Sequence, residues 1–103
     1  MRAMDHQDAQ QNPLAAYLPV EGTVTIFSAP WCRFCTALKE RLVESRISFR
    51  EVLVEEDAAA EQIAADANGG DWIIPTVLFS DGSLRVNPGA ADVIDRLAEL
   101  SSP

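Results

Sequence analysis

Two cysteines, Cys32 and Cys35, stand in the run Ala29-Pro30-Trp31-Cys32-Arg33-Phe34-Cys35, and the chain holds no others. A cysteine attacks disulfides or binds metal only as the thiolate, while a free thiol with a pKa of about 8.5 is mostly protonated near pH 7. The three-residue spacing lets one sulfur reach the other across a single helical turn, so the pair can close and open a disulfide. The alternatives are a pair that only staples a helix start or that supplies half of a metal site. A tetrahedral zinc site needs four ligands, commonly Cys or His. The sequence offers two cysteines and one histidine, His6, far upstream. No intrachain metal site is therefore expected. An iron–sulfur cluster shared by two chains, with an external thiol completing its ligands, stays open as a non-enzymatic alternative.

Cys32 falls where a β-branched, aromatic stretch, Thr23-Val24-Thr25-Ile26-Phe27, gives way to helical spacing. Unpaired N–H groups at a helix start stabilise an anion, which suits a thiolate at Cys32. Arg33 adds adjacent positive charge. Trp31 and Pro30 shape the approach, and Cys32 is expected at the rim. Cys35, one turn inside, is expected to be the more buried, resolving thiol. Exchanging these roles would require the more buried sulfur to meet substrate.

Three further places accompany the pair. In Trp72-Ile73-Ile74-Pro75-Thr76, Pro75 opens a strand and lacks the donor a ladder needs. A cis Ile74–Pro75 peptide would leave the Ile74 N–H and C=O free to pair with an extended substrate. Gly70 and Asp71 follow a helix stop at Asn68-Gly69-Gly70, and could hold polar groups of a thiol. Trp72 and Phe34 could supply apolar walls. Asn87, before Pro88, reads as the N-cap of a last helix, with direct contact to a bound thiol as a second role.

The elements around these residues come in a clear order. Phe34, Ala37, Leu38 and Leu42 share one stripe of a helix expected from about Cys32 to Arg46. Ser48–Val54 reads as a second strand. Glu55, Glu56 and Asp57 suit the start of a helix whose apolar face is Ala60, Ile63, Ala64 and Ala67. Thr76–Phe79 and Ser83–Val86 flank a hairpin turn at Asp81-Gly82. Val93, Ile94, Leu97 and Leu100 mark the last buried stripe. Strand, helix, strand requires parallel pairing, and the second half reads as a hairpin covered by a helix. Joined, they give an α/β domain with a four-stranded mixed sheet flanked by three main helices. Residues 1–19 read as a flexible or partly ordered extension and residues 20–103 as the domain.

Composition sets the outer bounds. Eight basic against sixteen acidic residues give a net charge of -8, which argues against nucleic acid as a partner. No apolar run approaches the roughly 20 residues needed to span a bilayer, and the first residues lack a secretory signal pattern. A cytoplasmic, monomeric protein is expected, and a close cysteine pair in a reducing compartment points to catalysis or metal binding.

The runs Ala-Pro-Trp-Cys-Arg-Phe-Cys (29–35), Asn-Gly-Gly-Asp (68–71), Ile-Pro-Thr-Val (74–77) and Phe-Ser-Asp-Gly-Ser (79–83), followed by Asn87-Pro88, resemble the glutaredoxins and, most of all, the actinobacterial mycoredoxins. The resemblance implies a thioredoxin-like fold of glutaredoxin type. It implies a thiol–disulfide oxidoreductase that reduces mixed disulfides between proteins and a low-molecular-weight thiol, mycothiol rather than glutathione, with no tightly bound cofactor. Cys32 would attack, Cys35 would resolve or tune, and Ile74-Pro75 would dock the thiol. Trp31, Arg33, Phe34, Gly70, Asp71 and Asn87 would line the site. Oxidised or thiolated proteins would be substrates, and mycothiol with its NADPH-dependent reductase would restore the dithiol. Arg33-Phe34 replaces the Pro-Tyr usual between glutaredoxin cysteines, and Trp72-Ile73 is bulkier than the family pattern. These departures keep open a redoxin reduced directly by thioredoxin reductase that donates electrons to a protein partner.

Overall fold

The computed structural model describes residues 12–101. Its elements are β1 (Val24–Ser28), α1 (Arg33–Glu44), β2 (Phe49–Leu53), a 3-10 turn (Val54–Glu56), α2 (Ala58–Ala67), β3 (Thr76–Leu78), β4 (Leu84–Val86) and α3 (Ala90–Ser101). They form a four-stranded sheet in the order β2-β1-β3-β4. β1 and β2 are parallel, with α1 as the crossover, and the β1–β3 and β3–β4 pairs are antiparallel. This is the α/β thioredoxin-like arrangement expected from the element order.

Period-two alternation sorts the central strands between two layers. Val24 and Ile26 of β1, with Val77 and Phe79, pack against Leu38 and Leu42 of α1 and Val93 and Leu97 of α3. Phe27 and Leu78 face the other way, toward Ala60, Ile63 and Ala64 of α2. Phe27, Phe79 and Leu42 are completely buried, each contributing about 1.5–3 kcal/mol of apolar transfer free energy. Both cysteines belong to the α2-side cluster, although α1 packs its later turns on the opposite face. The start of α1 therefore crosses the end of the sheet, and this crossing carries the cysteines to the carboxyl end of β1.

The upstream segment is tied to this core. Tyr17 is buried, with its ring edge-on to Phe27 at 5.7 Å. Its hydroxyl donates to Asp57 at 2.8 Å, and its carbonyl accepts from the Thr25 hydroxyl at 2.6 Å. Arg50 donates to the Ala16 carbonyl at 2.8 Å. Residues 1–11, including His6, lie outside the described residues.

Some local expectations need correction. The first helix closes at Glu44, before the left-handed Arg46 (φ 61°), where the Ile47 N–H reaches back to the Leu42 carbonyl at 2.9 Å. Phe34 leaves the buried stripe of α1 and is 66% exposed. It sits in the first turn, where the buried Cys35 takes the inward side and leaves Phe34 turned outward. Ile94, likewise placed on a buried stripe, is 37% exposed. Asn87 does not cap α3: it has φ 50°, and the helix starts three residues later at Ala90. Its N–H instead donates to the Pro75 carbonyl at 2.7 Å, a long-range bond that overrides the local Asn-Pro capping pattern. By contrast, the Asn68-Gly69-Gly70 stop of α2 is formed, with Gly69 left-handed and the Gly70 N–H bonded to the Ala65 carbonyl at 2.8 Å.

Candidate functional site

Cys32 is the N-cap of α1, with extended backbone (φ -83°, ψ 108°), and its Sγ accepts the Cys35 N–H at 3.1 Å. Its carbonyl accepts the N–H of Thr36 at 3.1 Å and the Thr36 hydroxyl at 3.2 Å, and these bonds hold the first turn in place. Cys32 and Cys35 are joined in a disulfide with a Cα–Cα separation of 5.2 Å. Cys35 is fully buried, and Cys32 is 5% exposed. The expected order of burial is present, but the expected position of Cys32 at the rim is corrected. Its side chain turns inward to meet Cys35 and joins the cluster that holds Ala29 and Ile74. The exposed rim is made by its neighbours Trp31 and Phe34.

The Ile74–Pro75 peptide is cis. Thr76 pairs with Phe27 in the antiparallel β1–β3 ladder, so Pro75 and Ile74 run back alongside the segment that leads to Cys32. Ile74 and Pro75 are buried. The Thr76 hydroxyl donates to the Ile73 carbonyl at 2.6 Å and fixes the bend. On the far side of the first turn of α1, Phe34, Arg41, Asn87 and Pro88 border a cleft of about 230 Å³. Gly70 and Asp71 are exposed in the loop before Trp72, and the Asp71 carbonyl accepts from the Asn68 amide at 2.9 Å. The structure thus gathers Trp31, Cys32, Cys35, Ile74 and Pro75 at one end of the sheet. Phe34 and Asn87 share the neighbouring cleft, and the hydrogen bonds of Gly70 and Asp71 run back to the end of α2. Arg33 is exposed at the first position of the helix.

Two features have no signature in local sequence. The ring centroids of Trp31 and Trp72 lie 6.4 Å apart, with the ring planes tilted by 44°. Trp31 donates its indole N–H to Glu55 at 2.8 Å, and Trp72 donates to Glu61 at 2.9 Å. The second feature lies behind the site, where the Glu51 carboxylate of β2 accepts from the Ser28 hydroxyl and from Lys39 of α1, the latter at 2.7 Å. Burial pushes the Glu51 carboxyl upward, but the bonds from Lys39 and Ser28 outweigh it and hold the group below its ordinary value. This network ties the end of β1, the edge strand and α1 together, and so steadies the helix that carries the cysteines. Among the described residues, no three His, Cys, Asp or Glu side chains converge as a metal site, and no helix is long and apolar enough to cross a membrane.

A disulfide-forming pair that caps a helix, on a thioredoxin-like sheet with a cis-proline strand alongside, defines a thiol–disulfide oxidoreductase of the thioredoxin-like class. The glutaredoxin family model matches residues 24–82. A Mycobacterium tuberculosis protein bearing a glutaredoxin name is 37% identical over 82 residues, covering 80% of this chain and 98% of its own length. Mycoredoxin 1 of Corynebacterium glutamicum is 35% identical over 78 residues, covering 76% of this chain and 96% of its own. The crystal structure of the thioredoxin-like protein BC3987 superposes with a TM-score of 0.58 at 25% identity, covering 73% of this chain and 99% of that one. The chain belongs to the glutaredoxin family, and its catalytic activity is thiol–disulfide exchange.

Proposed function

We propose that the chain reduces mixed disulfides between proteins and a low-molecular-weight thiol, with mycothiol as that thiol. The observation that carries this reading is Cys32 at the N-cap of α1, its sulfur on the Cys35 N–H and within disulfide reach of Cys35. The reduced Cys32 thiolate attacks the small-thiol sulfur of the mixed disulfide. The protein thiolate leaves and takes up a proton, and the small thiol stays on Cys32. In a dithiol route the Cys35 thiolate then attacks Cys32 Sγ, the small thiol leaves, and the Cys32–Cys35 disulfide forms. In a monothiol route a second small thiol attacks instead, giving the small-thiol disulfide and restoring Cys32. The backbone of Ile74 beside the cis peptide pairs with the bound thiol. Phe34, Trp31 and Trp72 wall it, Arg33 favours the thiolate, and Gly70, Asp71 and Asn87 offer polar contacts. Mycothiol is favoured by the likeness to Mycoredoxin 1 and by the carboxylates of Glu55 and Glu61 beside the site, which disfavour a thiol of net negative charge such as glutathione. The small thiol and its NADPH-dependent reductase return the enzyme to the dithiol.

The test is to oxidise Cys35→Ser protein with a panel of small-thiol disulfides and weigh it. The expected product gains one mycothiol at Cys32. A protein that gains no small thiol, yet still reacts with oxidised protein thiols, overturns this reading in favour of a redoxin served by thioredoxin reductase. The bulky Trp31–Trp72 pair at the entrance is the observation that favours that second reading.

A further inference from the structure

We propose that Trp31 and Trp72, with Glu55 and Glu61, form a receptor for a lysine or arginine side chain next to the disulfide of the protein substrate. The inference rests on thiol–disulfide exchange at Cys32 and adds which protein disulfides are preferred.

Trp31 keeps 63% of its surface exposed directly beside Cys32. Both indole N–H groups are already engaged by carboxylates, so the rings are held in place and offer a substrate only their faces. A cation over an indole face is attracted by the negative potential of the ring, and a carboxylate hydrogen-bonded to the N–H adds to that potential. The carboxylates also lack counter-charges. Lys39 pairs with Glu51, Arg41 with Glu44, and Arg96 with Asp81 and Glu99, whereas neither Glu55 nor Glu61 has an ion pair among the described residues. The chain as a whole carries a net charge of -8, so an approaching cation meets a favourable field at long range as well.

Position turns this attraction into selectivity for one kind of segment. Trp31 immediately precedes Cys32, and Trp72 stands two residues before the Ile74–Pro75 edge. With the small thiol on that edge and its sulfur attacked by Cys32, the peptide cysteine lies one S–S bond further out and carries its neighbouring residues past the indoles. Arg33, exposed one residue into α1, repels a cation, which confines the preference to the indole side.

The experiment uses fully reduced protein in single turnover, followed by tryptophan fluorescence. The substrates are short peptides of one sequence whose cysteine carries 2-mercaptoethanol in a mixed disulfide, with lysine, glutamine or glutamate beside it. Two electrons and two protons pass from the cysteine pair to the peptide disulfide, giving the Cys32–Cys35 disulfide, free peptide thiol and 2-mercaptoethanol. The lysine peptide is expected to react about fivefold faster than the glutamine peptide at low salt, the size an exposed cation–π contact supports. The glutamate peptide should be the slowest. The lysine-to-glutamine ratio should fall toward one in the Glu55→Gln/Glu61→Gln protein, whose amide oxygens still accept the indole N–H groups, and in wild-type protein at molar salt. Equal rates for lysine and glutamine peptides overturn the receptor, as does a ratio that survives both the double substitution and salt. Bis(2-hydroxyethyl) disulfide separates the two levels. Its reduction without charge preference among the peptides overturns the receptor alone, whereas reaction with neither it nor any peptide overturns exchange at Cys32 and the receptor with it.

Discussion

The two parallel strands of the sheet, β1 and β2, each lead into a helix, and the two junctions use the same electrostatics for different ends. At the second, Asp57 caps α2: its carboxylate accepts the Ala60 N–H at 3.1 Å and the Tyr17 hydroxyl at 2.8 Å. The Tyr17 hydroxyl first, and then the backbone N–H of Ala60, hold the Asp57 carboxyl below its ordinary value, so the cap is anionic throughout the neutral range. At the first junction, Cys32 caps α1 with a sulfur that receives one N–H, from Cys35 at 3.1 Å. Sulfur is a weak acceptor, and it carries charge only as the thiolate. On the proposed mechanism, the helix start stabilises a permanent charge at Asp57 and a transient one at Cys32. A strong oxygen cap makes a firm joint. A weak sulfur cap leaves the helix field available to the anion that appears when the disulfide opens.

This contrast can be broken most sharply at Cys32. Serine is among the best N-caps and differs from cysteine by one atom. Cys32→Ser should keep its stability within about 1 kcal/mol of the reduced wild type while disulfide exchange falls to the uncatalysed rate. Chemical denaturation and a disulfide-reduction assay check the two halves. Retained exchange in this variant would move the attacking role to Cys35.

The opposite result is expected at the oxygen cap. Asp57→Ala removes the cap and leaves the Tyr17 hydroxyl without its partner, a cost of about 2 kcal/mol and a Tm lower by about 10 °C for a domain of this size. Exchange per folded molecule should persist. The pH dependence follows from the sign of the shift. Because the folded Asp57 carboxyl lies below its ordinary value of 3.8, its contribution is complete above that value and is lost as pH falls through the lower, folded one. The stability gap between wild type and Asp57→Asn should therefore close on acidification, as urea titrations across the acid range will read. A gap that stays constant with pH would mean that the charge at Asp57 contributes nothing.

How much of this was legible in the sequence differs between the two junctions. The Cys32–Cys35 spacing, the strand before it, the helix after it and Pro75 at the head of a strand are all local signals, and each corresponds to an observed feature. The acidic run 55–57 also marked a helix start. Its partner Tyr17 did not stand out, because that contact spans forty residues and follows a segment that lacks periodicity. The same holds for the indole–carboxylate bonds, which join residues 24 and 11 positions apart. Asn87 and Phe34 misled for a related reason. Both obey a local rule, capping for one and helical spacing for the other, at places where tertiary geometry decides otherwise. The Pro75 carbonyl claims the Asn87 N–H, and Cys35 rather than Phe34 takes the buried side of the first turn of α1. The local signals therefore name the elements around the cysteines, while the exposed or long-range partners of those elements are set by tertiary geometry.

The smallest expected effect sharpens the comparison at its finest point, namely how much of the thiolate stabilisation comes from the helix and how much from a neighbouring side chain. Arg33→Glu reverses a charge one residue from Cys32 without touching the Cys35 N–H that bonds to sulfur. At roughly 7 Å in water the reversal is worth about 1 kcal/mol before screening, and physiological salt reduces it to about a two- to threefold loss of thiolate at neutral pH. Alkylation of Cys32 by iodoacetamide in a Cys35→Ser background reads this directly, as a two- to threefold slower rate that recovers at high salt. An unchanged rate would assign the thiolate to the helix start alone. A far larger loss would make Arg33 the dominant charge, and the N-cap geometry that Cys32 shares with Asp57 would then matter to the position of the sulfur more than to its ionisation.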